Sequence, residues 1–118
     1  MSSPLDVVQA FQKALQSGDR TAARAILADR FSFRGPFDTF DRPEPYLDAL
    51  DQLRPVIERI EMKKAFAEDD EVCVIYDMVT KTAVGRATIA EWFLVKDGRI
   101  AAIQAIFDPR PWAPLFAR

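Results

Sequence analysis

The 118-residue sequence contains no histidine, and this absence excludes several kinds of active site. Ser-His and Cys-His nucleophile pairs and histidine-based zinc sites all require that side chain. The single cysteine, Cys73, cannot form an internal disulfide. The glycines are isolated along the chain, so there is no glycine-rich loop for a nucleotide phosphate. We therefore expect no cofactor and no metal ion, and any chemistry must use carboxylates, Tyr, Lys, Arg or Cys73.

Charge and hydropathy limit the partners and the location. A net charge of −2 and a pI near 5.1 give no positive field for nucleic acid. No apolar run approaches the roughly 20 residues that span a bilayer. The N-terminus lacks the basic stretch and apolar core of a secretory signal. We expect a cytoplasmic protein without nucleic-acid or membrane partners, folded as a single domain over residues 1–118.

The first half of the chain predicts three helices. Ser3 supplies the cap of a helix that ends at Gly18. Asp19 can cap a short second helix, and a third begins near Pro43 and ends before Pro55. A short strand at 31–34 is predicted between the second and third helices, with a loop after it that reaches Asp41.

The second half of the chain predicts strands. Apolar and polar residues alternate over 56–66, and apolar runs over 72–80, 86–95 and 99–108 follow with short connections. Helices segregated from a mainly antiparallel sheet indicate an α+β fold, with three N-terminal helices packed on a strongly curved sheet.

The Asp97-Gly98 pair sets the register of the last two strands. It supplies the positive φ angles of a two-residue hairpin turn. Counting outward from the turn places Val95 opposite Ile100 and Glu91 opposite Gln104. A carboxylate among these apolar strand residues is unusual without a partner or a task.

Alternation also assigns side chains to the two faces of the sheet. If the loop from Lys81 to Gly85 keeps parity, then Asp77, Glu91 and Gln104 share the face that the helices cover. Polar residues on a covered face indicate a cavity between the helices and the sheet.

The opposite face is also apolar, although three helices can cover only one face. It is predicted to carry Tyr76, Trp92 and Ile103. Uncovered apolar surface of this kind usually marks a protein interface, so we expect a homodimer through the outer sheet face.

Several short motifs follow one another along nearly the whole chain. They are Phe11 to Ser17, Gly18-Asp19, Ala28-Asp29-Arg30-Phe31, Phe33-Arg34-Gly35-Pro36, Ala90-Glu91-Trp92-Phe93, Asp97-Gly98-Arg99-Ile100 and Phe107-Asp108. This ordered set resembles the NTF2-like superfamily in its SnoaL-like branch. The resemblance implies a cone-shaped α+β fold with an apolar pocket, commonly dimeric. The superfamily includes ketosteroid isomerases, polyketide cyclases, epoxide hydrolases and non-catalytic binders, so the fold does not settle the function.

The resemblance to ketosteroid isomerase is incomplete at the catalytic positions. It implies that Glu91 takes the place of the acid that donates a hydrogen bond to the enolate. The general base of that family would fall at Gly35 and its tyrosine at Phe11, so isomerisation by the known mechanism needs a base such as Asp77 or Asp38. The Asp-Arg-Asp relay of the epoxide hydrolases is also incomplete, because no Arg-X-Asp occurs on the strand of Asp77.

Two residues are the catalytic candidates. Asp77 as base and Glu91 as acid could bracket a small apolar carbonyl compound, because diagonal cross-strand neighbours lie about 7–8 Å apart. The alternative for Asp77 is a salt bridge to Lys63 or Arg59. The candidate ligand-binding residues are Arg34, Phe37, Tyr46, Phe93, Gln104 and Asp108.

Some of these candidates have structural alternatives. Asp108 could bond Arg110 or the tail amides, and Arg34 could pair in solvent with Asp29 or Asp38.

Two functional hypotheses follow. The first is a pocket for a small apolar organic ligand, with a cofactor-independent isomerase-like, cyclase-like or hydrolase-like activity. The second is a non-catalytic ligand-binding or dimeric interaction domain.

Overall fold

The computed structural model describes residues 2–116, and three of its helices precede the long strands. These are α1 (Pro4–Ser17), α2 (Arg20–Ile26) and α3 (Pro43–Leu53), as the sequence predicted. A fourth, short helix, α4 (Ala113–Phe116), was not predicted. Short 3₁₀ turns cover Arg54–Val56 and Arg110–Trp112.

The helix ends follow the predicted capping residues. The Ser3 hydroxyl accepts a bond from the Asp6 amide at 3.1 Å, and the Asp6 carboxylate accepts one from the Ser3 amide, which completes a capping box. Gly18 ends α1 with a φ of 74°, in the left-handed region that favours glycine. The Asp19 carboxylate accepts from the Ala22 amide at 3.0 Å and so caps α2. The predictions for all three capping residues are confirmed.

One six-stranded, mainly antiparallel sheet packs against these helices. Its strands in sheet order are β2 (Thr39–Phe40), β1 (Leu27–Arg34), β6 (Arg99–Ile106), β5 (Arg86–Lys96), β4 (Glu71–Thr80) and β3 (Ile57–Glu68). Among the strands of residues 2–116, only β1 and β6 pair in parallel. Strand β2 lies where the sequence predicted a loop, and β1 begins earlier than predicted. The α+β class with a curved, mainly antiparallel sheet is confirmed.

The hairpin turn is confirmed, but the register beyond it differs from the prediction. Asp97 and Gly98 have φ angles of 53° and 74°, and Val95 lies opposite Ile100. A register shift then occurs between Leu94 and Val95, so Glu91 lies opposite Ala105. The predicted pairing of Glu91 with Gln104 is therefore wrong, because an extra residue in one strand of a curved sheet changes every later partner.

The predicted sharing of one face by Asp77 and Glu91 is also wrong. Val79 pairs with Arg86, so odd-numbered residues of β4 face even-numbered residues of β5. Asp77 accordingly lies opposite Thr88, whereas Glu91 lies opposite Val74 on the other side of the sheet. The loop after β4 does not keep the assumed parity.

We call the helix-covered side of the sheet the inner face and the opposite side the outer face. Tyr76 and Ile103, which were predicted to lie in an outer interface, are buried on the inner face with exposures of 8% and 2%. Trp92 does lie on the outer face, opposite Gln104, and is half exposed. The inner face joins the helices in one core that includes Val8, Phe11, Leu27, Phe31, Leu47, Val72, Val74, Ile89, Phe93 and Ile100.

Among the helices of residues 2–116, none has both the length and the hydropathy that crossing a membrane requires.

Candidate functional site

A cavity of about 420 Å³ lies between α1, α3 and the inner face of β3, β4 and β5. This volume is within the usual range for small-molecule sites. Its walls are mostly aliphatic. The wall residues are Ala14, Leu15, Leu47, Leu50, Leu53, Ile57, Ile60 and Met78.

Three polar side chains lie at the deep end of the cavity, and we call them the cavity floor: Tyr46, Tyr76 and Glu91. Tyr46 projects from α3 and Tyr76 from β4, and both are almost completely buried. Glu91 projects from β5 and keeps part of its surface open to the cavity. The other polar lining residues are exposed and form the cavity mouth, except for the half-buried Gln12.

Strand pairing explains why Tyr76 and Glu91 meet. Tyr76 lies opposite Ile89 and Glu91 opposite Val74, which makes Tyr76 and Glu91 diagonal neighbours on the inner face. Long side chains reach across such a diagonal. The Tyr76 hydroxyl and the Glu91 carboxylate therefore lie close together, and their interaction lowers the pKa of Glu91 and raises that of Tyr76.

The enclosed setting changes the acidity of all three floor residues. Burial raises the pKa of Glu91, because the surrounding protein disfavours the charged form, while the interaction with the Tyr76 hydroxyl opposes this by stabilising the carboxylate. Burial and the nearby Glu91 raise the pKa of Tyr76 and of Tyr46 well above 10. Glu91 is therefore the most acidic of the three floor residues and the one that releases a proton most easily.

Tyr46 is held in place by aromatic neighbours on the first strand. Its ring stacks on Phe33 with a centroid separation of 4.8 Å and lies 5.0 Å from Phe31. These contacts fix α3 over β1 and keep the Tyr46 ring at the edge of the floor. The sequence placed Tyr46 among the ligand-binding candidates, and the structure brings it to the same cavity as Glu91.

Asp77 is on the outer face, in an ion network. Its carboxylate accepts bonds from Thr88 at 2.7 Å and Arg86 at 2.8 Å, and Lys63 lies 3.4 Å away. The Thr88 and Arg86 bonds, followed by the Lys63 contact, lower the pKa of Asp77 to about 2. The salt-bridge alternative matches these contacts with Lys63, whereas Arg59 bonds Glu61 instead.

The remaining ligand-binding candidates do not line the cavity. Arg34 and Gln104 lie together in a shallower depression of about 260 Å³ on the outer face, beside Trp92. Phe93 is buried in the core. Phe37 packs on Phe107 with ring centroids 6.3 Å apart.

Asp108 has the structural role that the sequence allowed as an alternative. Its carboxylate accepts bonds from the Arg110 amide at 3.0 Å and from the Arg110 guanidinium at 2.7 Å. These bonds lower the pKa of Asp108 to about 2, and the guanidinium bond contributes more than the amide bond. Asp108 is not among the residues that line the cavity.

Sequence reasoning missed Tyr76 as a site residue because the loop parity was assumed. A charge signal could have found it: Val72, Val74, Tyr76 and Met78 are all uncharged, whereas the opposite side of β4 carries Asp77. The uncharged set is the natural inner face. Within residues 2–116, no group of three or more Cys, Asp or Glu side chains is placed to hold a metal ion.

Comparisons with known proteins agree with the fold. The model of the SnoaL-like domain family matches residues 8–103. A protein from Kribbella flavida has 24% identity and a TM-score of 0.84, over 93% of this chain and 90% of its own. An NTF2-like protein of unknown function from Cytophaga hutchinsonii has 26% identity and a TM-score of 0.82, over 99% and 97%.

A third similar structure carries a functional description. It is IdmH, a proposed polyketide cyclase from Streptomyces antibioticus, with 18% identity and a TM-score of 0.80 over 98% of this chain and 100% of its own. At this identity the likeness concerns the fold alone. No curated protein matches the sequence.

Proposed function

The chain belongs to the SnoaL-like domain family, and from this premise we propose that it binds a small apolar carbonyl compound and moves a proton on it with Glu91. The observation that carries the proposal is the cavity floor. A carboxyl with a raised pKa faces an aliphatic cavity beside the Tyr76 hydroxyl, which lines the same cavity. Burying such a group is costly and is often tied to acid/base chemistry.

The reaction that suits this floor uses a single carboxyl group. Of the cavity-lining carboxylates described, Asp19, Asp51 and Glu58 lie at the exposed mouth, and only Glu91 lies at the floor. One group must then both take and return the proton. Asp77 does not take part, because it lies on the outer face.

The proposed step begins with Glu91 as a carboxylate. It removes a proton from the carbon next to the ligand carbonyl, and the electrons of the broken C–H bond pass to the carbonyl oxygen to form an enolate. As Glu91 takes up the proton and loses its charge, the Tyr76 hydroxyl turns from Glu91 to the ligand and donates its one hydrogen bond to that oxygen. In an isomerase-like reaction, Glu91 then returns the proton to another carbon. In a cyclase-like reaction, the enolate carbon bonds to a second carbonyl carbon, whose oxygen takes the proton from Glu91.

An isotope-exchange experiment tests this function. Tetralone, a bicyclic ketone, is incubated with the protein in heavy water, and loss of the hydrogens next to its carbonyl is followed by proton NMR. The native protein should accelerate exchange, and Glu91→Gln should abolish the acceleration. Asp77→Asn is the matched control, since it makes the same carboxyl-to-amide change on the outer face and should leave exchange unchanged.

The same experiment separates the two hypotheses. Tetralone binding that is lost in Glu91→Gln, without exchange above the buffer rate, would identify a non-catalytic binding protein. Exchange that is equally fast in Glu91→Gln would refute Glu91 as the proton carrier.

We also propose that the chain forms a homodimer through the outer face. Phe66, Trp92 and Ile106 are each about half exposed there. Phe66 lies opposite Cys73, which lies opposite Trp92, and Ile106 is a diagonal neighbour of Trp92 on the next strand. The Trp92 indole donates to Glu71 at 2.8 Å, which holds its ring in place before association. These three residues replace the Tyr76, Trp92 and Ile103 set that the sequence predicted.

A further inference from the structure

The cavity mouth carries three arginines, and their partners differ. Arg20 lies 2.8 Å from Asp48 and 2.5 Å from Asp51. Arg59 bonds Glu58 at 2.5 Å and Glu61 at 2.6 Å. Both guanidinium groups are therefore already paired with carboxylates of the chain.

Arg54 is different from the other two arginines. No carboxylate within residues 2–116 forms an ion pair with it, and its one bond goes from Nη2 to the Gln16 carbonyl oxygen at 3.4 Å. A guanidinium has five N–H donors, and this bond uses only one of them. Of the arginines that line the cavity in the described chain, it is the one that lacks an acidic partner.

The position of Arg54 is fixed by the backbone around it. It follows α3 directly and begins the 3₁₀ turn Arg54–Val56. Its guanidinium lies against Gly18, where a side chain would overlap it: a β-carbon there would be 2.8 Å from Arg54 Cζ. The missing side chain at Gly18 leaves room for the guanidinium at the cavity mouth.

A purely structural role for Arg54 is to stabilise the end of α1, where carbonyl groups carry partial negative charge. The single long bond to Gln16 uses only part of the guanidinium and does not account for its place on the cavity lining. Asp19, the neighbouring acid, directs its carboxylate to the Ala22 amide and so serves α2.

We propose that Arg54 binds a carboxylate of the ligand at the cavity mouth, while the carbonyl end of the same ligand lies at Glu91 and Tyr76. The proposal rests on the proposed function of the cavity and specifies its ligand as an apolar keto acid. A guanidinium pairs with a carboxylate through two parallel hydrogen bonds, which gives both affinity and orientation. The ligand would then enter with its carbonyl first, because Glu91 at the floor repels a second carboxylate.

Three tetralones test the proposal by calorimetric titration: the parent ketone, a derivative with a carboxylate on the ring remote from the carbonyl, and the primary amide of that derivative. The amide has the shape of the carboxylate without its charge. The native protein should bind the carboxylate about tenfold more tightly than the amide, a preference typical of one charge-assisted pair. Arg54→Gln should remove the preference without weakening the amide.

Arg99→Gln is the matched control, because it removes the same charge at the β5–β6 hairpin, away from the cavity. It should retain the preference. Arg54→Lys should retain part of it, since the charge remains without the paired donors.

The outcomes distinguish this inference from the function on which it rests. If the native protein binds the carboxylate and the amide equally, or if Arg54→Gln weakens both equally, Arg54 does not select an acid, although the cavity still binds ketones. If none of the three tetralones binds, both the keto-acid specificity and the proposed function are refuted. The comparison within the native protein needs no variant, so a variant that fails to fold does not prevent the decision.

Discussion

Tyr76 places its hydroxyl beside the Glu91 carboxyl from the neighbouring strand, and this interaction opposes the effect of burial on the pKa of Glu91. The two residues are diagonal neighbours on the inner face, enclosed by α3 and by the aliphatic walls of the cavity. The acidity of Glu91 is thus set by two opposed causes, and each can be changed separately by mutation.

Tyr76→Phe should raise the pKa of Glu91 further. It removes the hydroxyl group that stabilises the Glu91 carboxylate but leaves Glu91 equally buried. Carbon-detected NMR titration of the Glu91 carboxyl measures the change. Tyr46→Phe is the matched control, since Tyr46 lies at the same floor but donates no hydrogen bond to Glu91 that affects its pKa. A pKa that stays the same or falls in Tyr76→Phe would show that the tyrosine hydroxyl does not stabilise the charged form.

Glu91→Gln should change how stability depends on pH. A carboxyl whose folded pKa lies above its unfolded value of about 4.5 favours folding while it is protonated. That contribution is complete below the unfolded pKa and is lost as the pH rises through the folded pKa. The free energy of unfolding of the native protein should therefore fall, relative to Glu91→Gln, over this interval. Urea unfolding at a series of pH values measures the difference, and a difference that does not vary with pH would contradict the raised pKa.

Asp77→Asn should change the pH dependence of stability in the opposite direction. The bonds from Thr88 and Arg86 hold the folded pKa of Asp77 at about 2, below its ordinary value of 3.8. The stability that the carboxylate contributes is present above the unfolded pKa and is lost as the pH falls toward the folded one. Thermal melts should show the variant to be less stable at neutral pH, with the difference shrinking between about pH 4 and pH 2. An equally stable variant at neutral pH would rule out the structural role.

The sequence predicted the parts of this fold that depend on local chemistry. Ser3, Gly18 and Asp19 mark helix ends because a cap needs a particular side chain or a positive φ. The Asp97-Gly98 turn was recognised for the same reason. The strand bounds within the meander were correct to within two residues.

The parts that were missed depend on geometry that leaves no local signal. The register shift near Leu94 and the one between Met62 and Lys64 each move later side chains to new partners. One extra residue exchanges the inner and outer faces, since side chains alternate with a period of two. The prediction that Asp77 and Glu91 share one face was wrong because it assumed the parity of the loop after β4. The same assumption placed Tyr76 on the outer face instead of at the cavity floor.

Trp92→Glu should dissociate the proposed homodimer. A charge placed at the centre of an apolar interface loses its hydration on association, which costs ~3–5 kcal/mol. Light scattering should report about twice the chain mass of 13.4 kDa for the native protein and the single-chain mass for the variant. Lys81→Glu, in the loop after β4, is the control and should remain dimeric. A native protein that is monomeric at micromolar concentration would refute the proposal.

Gly18→Ala should destabilise the protein for two reasons that can be separated. A left-handed φ of 74° costs alanine about 1–2 kcal/mol, and the new methyl group must also displace the Arg54 guanidinium. Gly85 has a similar φ of 68°, and a β-carbon added there would meet no atom of residues 2–116 within 4 Å apart from its chain neighbours, so Gly85→Ala isolates the cost of the backbone conformation. Urea unfolding should therefore show a larger loss for Gly18→Ala than for Gly85→Ala.

Combining these glycine variants with Arg54→Gln tests the contact itself. Gly18→Ala and Arg54→Gln remove the same packing, so their effects on the free energy of unfolding should sum to more than the loss measured in the double variant. Gly85→Ala and Arg54→Gln share no contact and should be additive. Additivity in both pairs would show that Arg54 does not depend on the space at Gly18, and its placement at the cavity mouth would then need another explanation.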